Sequence, residues 1–388
     1  MAGALSREGL DRFDEVAASH VGDGLVPGLV ALVAHGDQVH VRPLGSLSIG
    51  GPAVTETSIF RIASTTKPVT AAAVMSLAEE GLIGLDEPVD RLLPEMAGLR
   101  VLRRMDGPLD DTVAATRPVT TRELLTFTFG FGMAVEMFTA AEPWPVVAAA
   151  GELGLGTFGP PDPHGQPDPD TWIAGLGSLP LMCQPGERWL YNTGASVAGV
   201  LAARAAGRPL ADVMRTRIFE PLGMADTAFF TTDTDRLATA YAPTEDGLRV
   251  WDEPDGRWSR APAFADGAGG LVSTAADLLE LARMFLRNGD PVLPAAAVAA
   301  MTSSQVAAAQ LQGAEPFLGD RSWGLGQAVF AGGPRAGAFG WDGGLGTSWL
   351  VDPVRQLVVI VLTQRMWETS GLPAVHRDLQ DAAYAALS

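Results

Sequence analysis

Apolar residues recur first at helical spacing, then in alternating runs, then helically again, and they return to alternation near the C-terminus. Residues 1–16 (MAGALSREGLDRFDEV) read as an amphipathic helix through Leu10, Phe13 and Val16, ended by Gly22 and Gly24. Two apolar runs flank His35-Gly36-Asp37-Gln38, a hairpin signal, and residues 58–62 read as a further short strand. From Ser64 to about Glu80 the spacing of Val69, Ala73, Met75, Leu77 and Ala78 predicts a largely buried helix stopped by Gly81. Pro68 falls in its first turn, where the missing N–H costs little.

The stretch 82–260 reads as short helices between Pro- and Gly-rich loops. Thr120-Thr121-Arg122-Glu123 is a capping box, and Asn192 stands where it could cap a helix carrying Val197 to Ala206. Residues 157–170, rich in Pro, Gly and Asp, read as a loop or lid edge. After Gly267-Ala268-Gly269-Gly270, Thr274-Ala275-Ala276-Asp277 opens another capped helix that runs to Asn288-Gly289. Alternating runs return at 323–330, 338–341, 348–351 and 357–363, with Asp352-Pro353 as a turn, before a final helix at 374–387. Strands at both ends around a helical middle predict one sheet domain interrupted by a helical insertion.

Composition narrows the partners. At 388 residues, with 47% hydrophobic and 19% charged residues, the chain is an ordinary folded protein with room for a large core. Its formal net charge of −18 repels phosphate backbones and anionic membranes, so neither nucleic acid nor membrane is an expected partner. Cys183 is the only cysteine and the five histidines are scattered, so no internal disulfide, metal set or cofactor is predicted. A basic start followed by an apolar stretch is missing, and no apolar run approaches the roughly 20 residues of a membrane helix, which points to a cytoplasmic protein.

Ser64-Thr65-Thr66-Lys67 carries the chemistry. At i and i+3 on a helix the hydroxyl and the amine share a face. S-x-x-K alone is a weak pattern, but Lys67 is the only lysine in a chain otherwise furnished with arginine. Desolvated lysine can release its proton and guanidinium cannot, so a proton-handling role distinguishes the two. Ser64 lies at a helix start, where free N–H groups favour the charge that develops during attack on a carbonyl; a plain N-cap is the alternative. Tyr191, one of three tyrosines, precedes a helix start in Tyr191-Asn192-Thr193, and a nearby cation would favour its phenolate as a proton acceptor. A half-buried, backbone-bonded tyrosine is the alternative. Gly340-Trp341-Asp342-Gly343-Gly344 ends a predicted strand where the backbone could approach an acyl group, with Gly344 N–H joining Ser64 N–H in an oxyanion hole; otherwise it is a bulge or tight turn.

S-x-x-K in the first fifth, Y-x-N near the middle and a K-T-G-like strand near the end resemble the three motifs of the serine β-lactamase and penicillin-binding protein superfamily. The chain looks most like its class C β-lactamase-like branch, which includes the family VIII carboxylesterases. VTTRELLTFTFG (119–130), PLGMADT (221–227) and AGGLVSTAAD (268–277) resemble that branch as well, so the similarity spans nearly the whole chain. The resemblance implies an α+β, β-lactamase/transpeptidase-like fold: residues 1–80 and 261–388 form an antiparallel sheet flanked by helices, 81–260 form a mainly helical domain, and the active site lies at their junction. By the same matching Ser64 forms an acyl-enzyme, Lys67 and Tyr191 share base and acid duties, and Ser64 and Gly344 supply the oxyanion N–H groups.

Two departures bear on substrate. Where β-lactamases present a lysine that helps hold the drug's carboxylate, this chain has Trp341-Asp342-Gly343, which predicts weak β-lactam turnover unless Asp342 points to solvent. A tryptophan there resembles the esterase members, where it could pack on an uncharged group. Phe127-Thr128-Phe129-Gly130-Phe131, followed by Met133, Met137 and Phe138, replaces a more polar segment; Phe127 and Phe129 are expected to line an apolar pocket, with core between helices as the alternative. Trp144, Trp172 and Trp189 are pocket or core on equal terms. The expected substrates are carboxylic esters of short or medium acyl chains, bound with help from Asn192, Trp341, Asp342 and Gly343. A transacylase or a D-amino-acid amidase or peptidase would use the same acyl-enzyme, and a non-catalytic binding module would need none of Ser64, Lys67 and Tyr191. No G-x-S-x-G elbow is present. Self-association into a homo-oligomer is left open.

Overall fold

The computed structural model describes residues 4–22 and 25–388, so Gly24 and the first three residues of the predicted N-terminal helix lie outside the described residues. Both chain ends build one seven-stranded sheet. Its strands are β1 (Gly28–His35), β2 (Gln38–Gly45), β3 (Ser322–Trp323), β4 (Ala328–Val329), β5 (Phe339–Gly343), β6 (Thr347–Asp352) and β7 (Leu357–Thr363). They lie in the order β2-β1-β7-β6-β5-β4-β3, with antiparallel neighbours throughout. The predicted hairpin is present: His35 pairs with Gln38, and Gly36 takes a left-handed φ of +56° that glycine adopts without strain. β1 and β7 pair from Leu29 opposite Thr363 to His35 opposite Leu357, which joins the two ends of the chain.

The helices around the sheet and the site are α1 (Arg7–Ser19), α2 (Thr66–Glu79), α3 (Thr121–Thr126), α4 (Thr193–Ala206), α5 (Ala275–Leu286) and α6 (Ala374–Ala385). Side chains alternate across a strand, and here both faces are covered. Leu29, Ala31 and Val33 of β1 join Leu357, Val359 and Val361 of β7 against Phe13 and Ala17 of α1 and Leu379 and Ala383 of α6. Val30, Leu32 and Ala34 join Val358, Ile360 and Leu362 in the opposite core with Val69, Ala73 and Leu77 of α2 and Leu278 and Ala282 of α5. β1 and β7 are therefore buried at every position and read as unbroken apolar runs, whereas the edge strand β2 is largely exposed.

The predicted caps of α3 and α5 form: Thr120 and Glu123 make the reciprocal box, and Thr274 Oγ1 accepts from Asp277 N. The run 323–330 is not one strand. It breaks into β3 and β4 because Gly326, at φ +81°, turns the chain close against Ala71 of α2. Residues 82–260 hold two β-ribbons that periodicity did not predict, Arg100–Leu102 with Thr112–Ala114 and Ala240–Thr244 with Gly247–Asp252. Asp252, on the second ribbon, forms a buried ion pair with Arg61 at 2.6 and 2.9 Å. The same guanidinium donates to the carbonyls of Ala238 and Glu253, so its charge is satisfied on several sides. This pair anchors the short strand Phe60–Arg61 just ahead of Ser64.

Candidate active site

Ser64 sits in a single 3-10 turn, Ala63–Thr65, that runs into α2. Ala63 takes φ +44°, a strained value for a residue with a Cβ, and so turns the chain sharply into the helix. One turn on, Lys67 Nζ donates to Ser64 Oγ at 2.8 Å and to the Ala268 carbonyl at 2.7 Å. Every residue from Thr65 to Leu77 is buried, and Lys67 is only 1% exposed. Burial lowers its amine from the usual 10.5 to about 7, with a smaller opposing pull from Asp266. Near neutral pH the nitrogen is therefore often unprotonated, and its lone pair can accept the serine proton.

Tyr191 arrives from the chain just before α4. Its ring centroid lies 4.7 Å from Lys67 Nζ, and its hydroxyl hydrogen-bonds with Ser64 and accepts from Trp341 Nε1 at 2.9 Å. Trp189 stacks on the ring, Phe127 meets it edge-on and Phe317 lies at 5.1 Å. The predicted phenolate is corrected: burial pushes the phenol up to about 12, outweighing its hydrogen bonds to Ser64 and Trp341, so Tyr191 stays protonated at neutral pH. The predicted cap at Asn192 is corrected too. Asn192 adopts φ +84°, ψ −65°, makes no side-chain cap bond to α4, and sends its Nδ2 to the Thr157 carbonyl at 3.0 Å. That is the strained γ-turn conformation.

The third segment is the end of β5. Trp341 lines the cavity above Ser64 and orients the Tyr191 hydroxyl. Asp342 neither points to solvent nor stands as a bare anion. It is buried, accepting from Ser348 Oγ at 2.7 Å and from Arg321 Nη1 at 2.9 Å, and Arg321 in turn lies 5.0 Å from the Trp341 ring centroid. The electrostatic case against a carboxylate therefore loses its anion: the pair is neutral. Gly344 lines the cavity with Ser64, whereas Gly343 is buried against the Ile62 carbonyl and does not.

Phe127 and Phe129 were expected in the pocket and are absent from its wall. Phe127 ends α3 at φ +60°, which turns its ring inward behind Tyr191 onto Trp189 and Trp323, and Phe129 belongs to the main core. Met133 and Phe138, further along, do line the cavity; Trp144, Trp172 and Trp189 do not. The cavity holds about 590 Å³, and Phe158, Phe317 and Trp367 add to its apolar wall. Sequence reasoning missed Arg321 and Asp266. Arg321 had no local signal, while Asp266 opens the Gly267–Gly270 run and could have been noticed there. Among the described residues no group of three or more His, Cys, Asp or Glu could hold a metal ion, and no helix is long and apolar enough to cross a membrane.

Comparison with known proteins gives the same outline. The β-lactamase family profile matches residues 13–383. The Mycobacterium tuberculosis protein Rv1367c is 34% identical over 363 residues, 88% of this chain and 86% of that protein. Esterase EstB of Burkholderia gladioli is 31% identical over 396 residues, 96% of this chain and 95% of EstB. Among solved structures, EstCE1, described as a hydrolase with promiscuous acyltransferase activity, superposes with a TM-score of 0.83 at 26% identity, covering 97% of this chain and 99% of that one.

Proposed function

The chain belongs to the β-lactamase family, and on that premise we propose that it is a serine hydrolase cleaving carboxylic esters of short or medium acyl chains through a Ser64 acyl-enzyme. The observation that carries this reading is the Ser64 hydroxyl held between Lys67 Nζ at 2.8 Å and the Tyr191 hydroxyl, with the amine lowered to about 7. Neutral Lys67 takes the serine proton as Oγ attacks the ester carbonyl. Charge collecting on the carbonyl oxygen is received by the N–H groups of Ser64 and Gly344. Protonated Tyr191 gives its proton to the departing alkoxide and regains one from the Lys67 ammonium. Water then attacks the acyl-enzyme, with the proton transfers reversed.

Esters are favoured over β-lactams because the third motif offers an indole, and the nearby guanidinium of Arg321 is already bound by Asp342. The esterase name of EstB supports the same choice. Acyl transfer is the second reading: a cavity of about 590 Å³ exceeds the needs of a short acyl chain, leaving room for an alcohol to replace water. A burst assay with p-nitrophenyl butyrate, followed by mass spectrometry, tests the proposal. Stoichiometric release, a butyryl adduct on Ser64 and steady turnover are expected; the absence of any adduct refutes it. Faster turnover of a chromogenic cephalosporin than of the ester would overturn the substrate class. Butyl butyrate formed on adding butanol would identify acyl transfer.

A further inference from the structure

Lys67 has a buried neighbour with no part in the chemistry so far. Asp266 lies in the turn between the Pro262–Ala265 segment and α5, borders the cavity, and is 9% exposed. Its Oδ1 accepts from Ser196 Oγ of α4 at 2.6 Å and from the Ala268 backbone N–H at 2.9 Å. The carbonyl of that same Ala268 receives Lys67 Nζ. One carboxyl oxygen thus ties the helix that follows Tyr191 to the turn that holds the lysine. Thr70 Oγ1, bonded to the Gly267 carbonyl at 2.6 Å, fastens the turn to α2 as well.

We propose that Asp266 is a positioning residue for Lys67: it fixes the Ala268 carbonyl that receives the amine and supplies the buried negative charge that lets the amine hold a proton between the two halves of turnover. The inference rests on Lys67 as the base. A buried amine that takes a proton from serine becomes an ammonium in a dry site, and an ammonium there needs a counter-charge. The groups facing Lys67 are the Ser64 hydroxyl, the Ala268 carbonyl, the ring of Tyr191 and Asp266. Tyr191 is neutral, and the charges acting on it, Asp342 and Arg321, are paired with each other. Asp266 is the carboxylate coupled to the amine, and the coupling is mutual: burial leaves the Asp266 carboxyl above its usual range, against the smaller opposing pulls of Ser196, the Ala268 N–H and Lys67.

Because Lys67 is the only lysine, a protein labelled with 13Cε-lysine gives one lysine side-chain signal, whose titration reads this amine without any assay of turnover. Asp266→Asn keeps an oxygen that can accept from Ser196 and Ala268 but removes the charge; Asp266→Ala removes both and adds no bulk. Both variants are expected to titrate Lys67 at lower pH than wild type, and the acid limb of kcat/KM should move down with it at little change in KM. A structural role alone would lower the melting temperature and leave the Lys67 midpoint in place. An unmoved midpoint in either folded variant overturns the inference. A wild-type midpoint near 10.5 would instead remove Lys67 as the base, and the Asp266 proposal would fall with it.

Discussion

β7 and the first turn of α2 are both fully buried, yet burial does opposite things in them. In β7 each of Leu357 to Thr363 is buried, the strand is paired on both sides, and Ile360 and Val359 fill the two opposed cores. Burial, pairing and packing there favour the same state. At the start of α2 the same low-polarity surroundings enclose Thr65, Thr66, Lys67 and Thr70. There burial opposes the charge on the amine, and that opposition is what turns an ordinary ammonium into a base usable near pH 7. Backbone strain is concentrated at the site. Of the five non-glycine residues at left-handed φ among the described residues, Ala63 and Asn192 adjoin Ser64 and Tyr191, and Phe127 packs against Tyr191. The sheet stores stability, and the site consumes some of it.

The largest effect expected from breaking this contrast comes from Lys67→Met. Removing the base should lower kcat/KM for p-nitrophenyl butyrate by about 10³-fold or more. Stability should move the other way at low pH. The folded chain gives up this proton near pH 7, whereas the unfolded chain keeps it to about 10.5, so wild-type stability rises with pH across that window. Below pH 7 the cost of holding the buried ammonium is fully present, on the order of 5 kcal/mol before the two hydrogen bonds of the amine are counted. The methionine variant should therefore melt higher than wild type at pH 6, and the gap should close toward pH 9, which calorimetry at the two pH values would check. A variant that melts lower at both would mean that the amine is not penalised in the fold.

Ile360→Ala is the counterpart in the sheet. Truncating a fully buried side chain should cost about 2–5 kcal/mol, read as a lower urea midpoint. The remaining folded fraction should keep kcat/KM within about twofold of wild type, since β7 contributes no side chain to the cavity wall. A large kinetic effect with little loss of stability would contradict the separation between the two regions.

The same division sets how much was legible in the sequence. β7, the β1–β2 hairpin, α2 and the caps at Thr120 and Thr274 were readable because short-range pattern and burial agree in them. Ser64, Lys67 and Tyr191 were readable because rare residue types stand at chemically meaningful spacing, and the structure brings them together. Their protonation was less so. Nearby charge suggested a phenolate at Tyr191, but desolvation by Phe127, Trp189, Phe317 and Trp341 prevails, and those rings come from four separate stretches of chain. The Arg321–Asp342 and Arg61–Asp252 pairs were hidden for the same reason: a lone arginine in sequence does not reveal which distant carboxylate will bury it. Phe127 misled because a left-handed helix end, not its apolar character, decides where its ring goes.

Trp341→Phe separates packing from orientation at the site. It keeps an aromatic ring but removes the N–H that reaches the Tyr191 hydroxyl at 2.9 Å. Losing one orienting hydrogen bond of about 1.4 kcal/mol should lower kcat about tenfold with KM nearly unchanged. A rise in KM at constant kcat would show instead that the indole serves to bind substrate.

The smallest and most direct test uses two strained residues, one in each region. Gln356 at φ +51° occupies the turn between β6 and β7, and Ala63 at φ +44° directly precedes Ser64. Replacing either with glycine relieves roughly 1 kcal/mol of left-handed strain and gives back part of it through the freer unfolded chain. The melting temperatures of Gln356→Gly and Ala63→Gly should therefore both stay within a few degrees of wild type. Their kinetics should differ. The turn at Gln356 holds nothing that acts on the substrate, so its variant should be as active as wild type. At Ala63 the strained backbone fixes where the Ser64 hydroxyl and N–H point, and glycine lets them wander, so kcat should fall several-fold. Equal activity in the two variants would mean that the strain beside Ser64 is incidental, whereas unequal activity at equal stability would show that it holds the nucleophile in place.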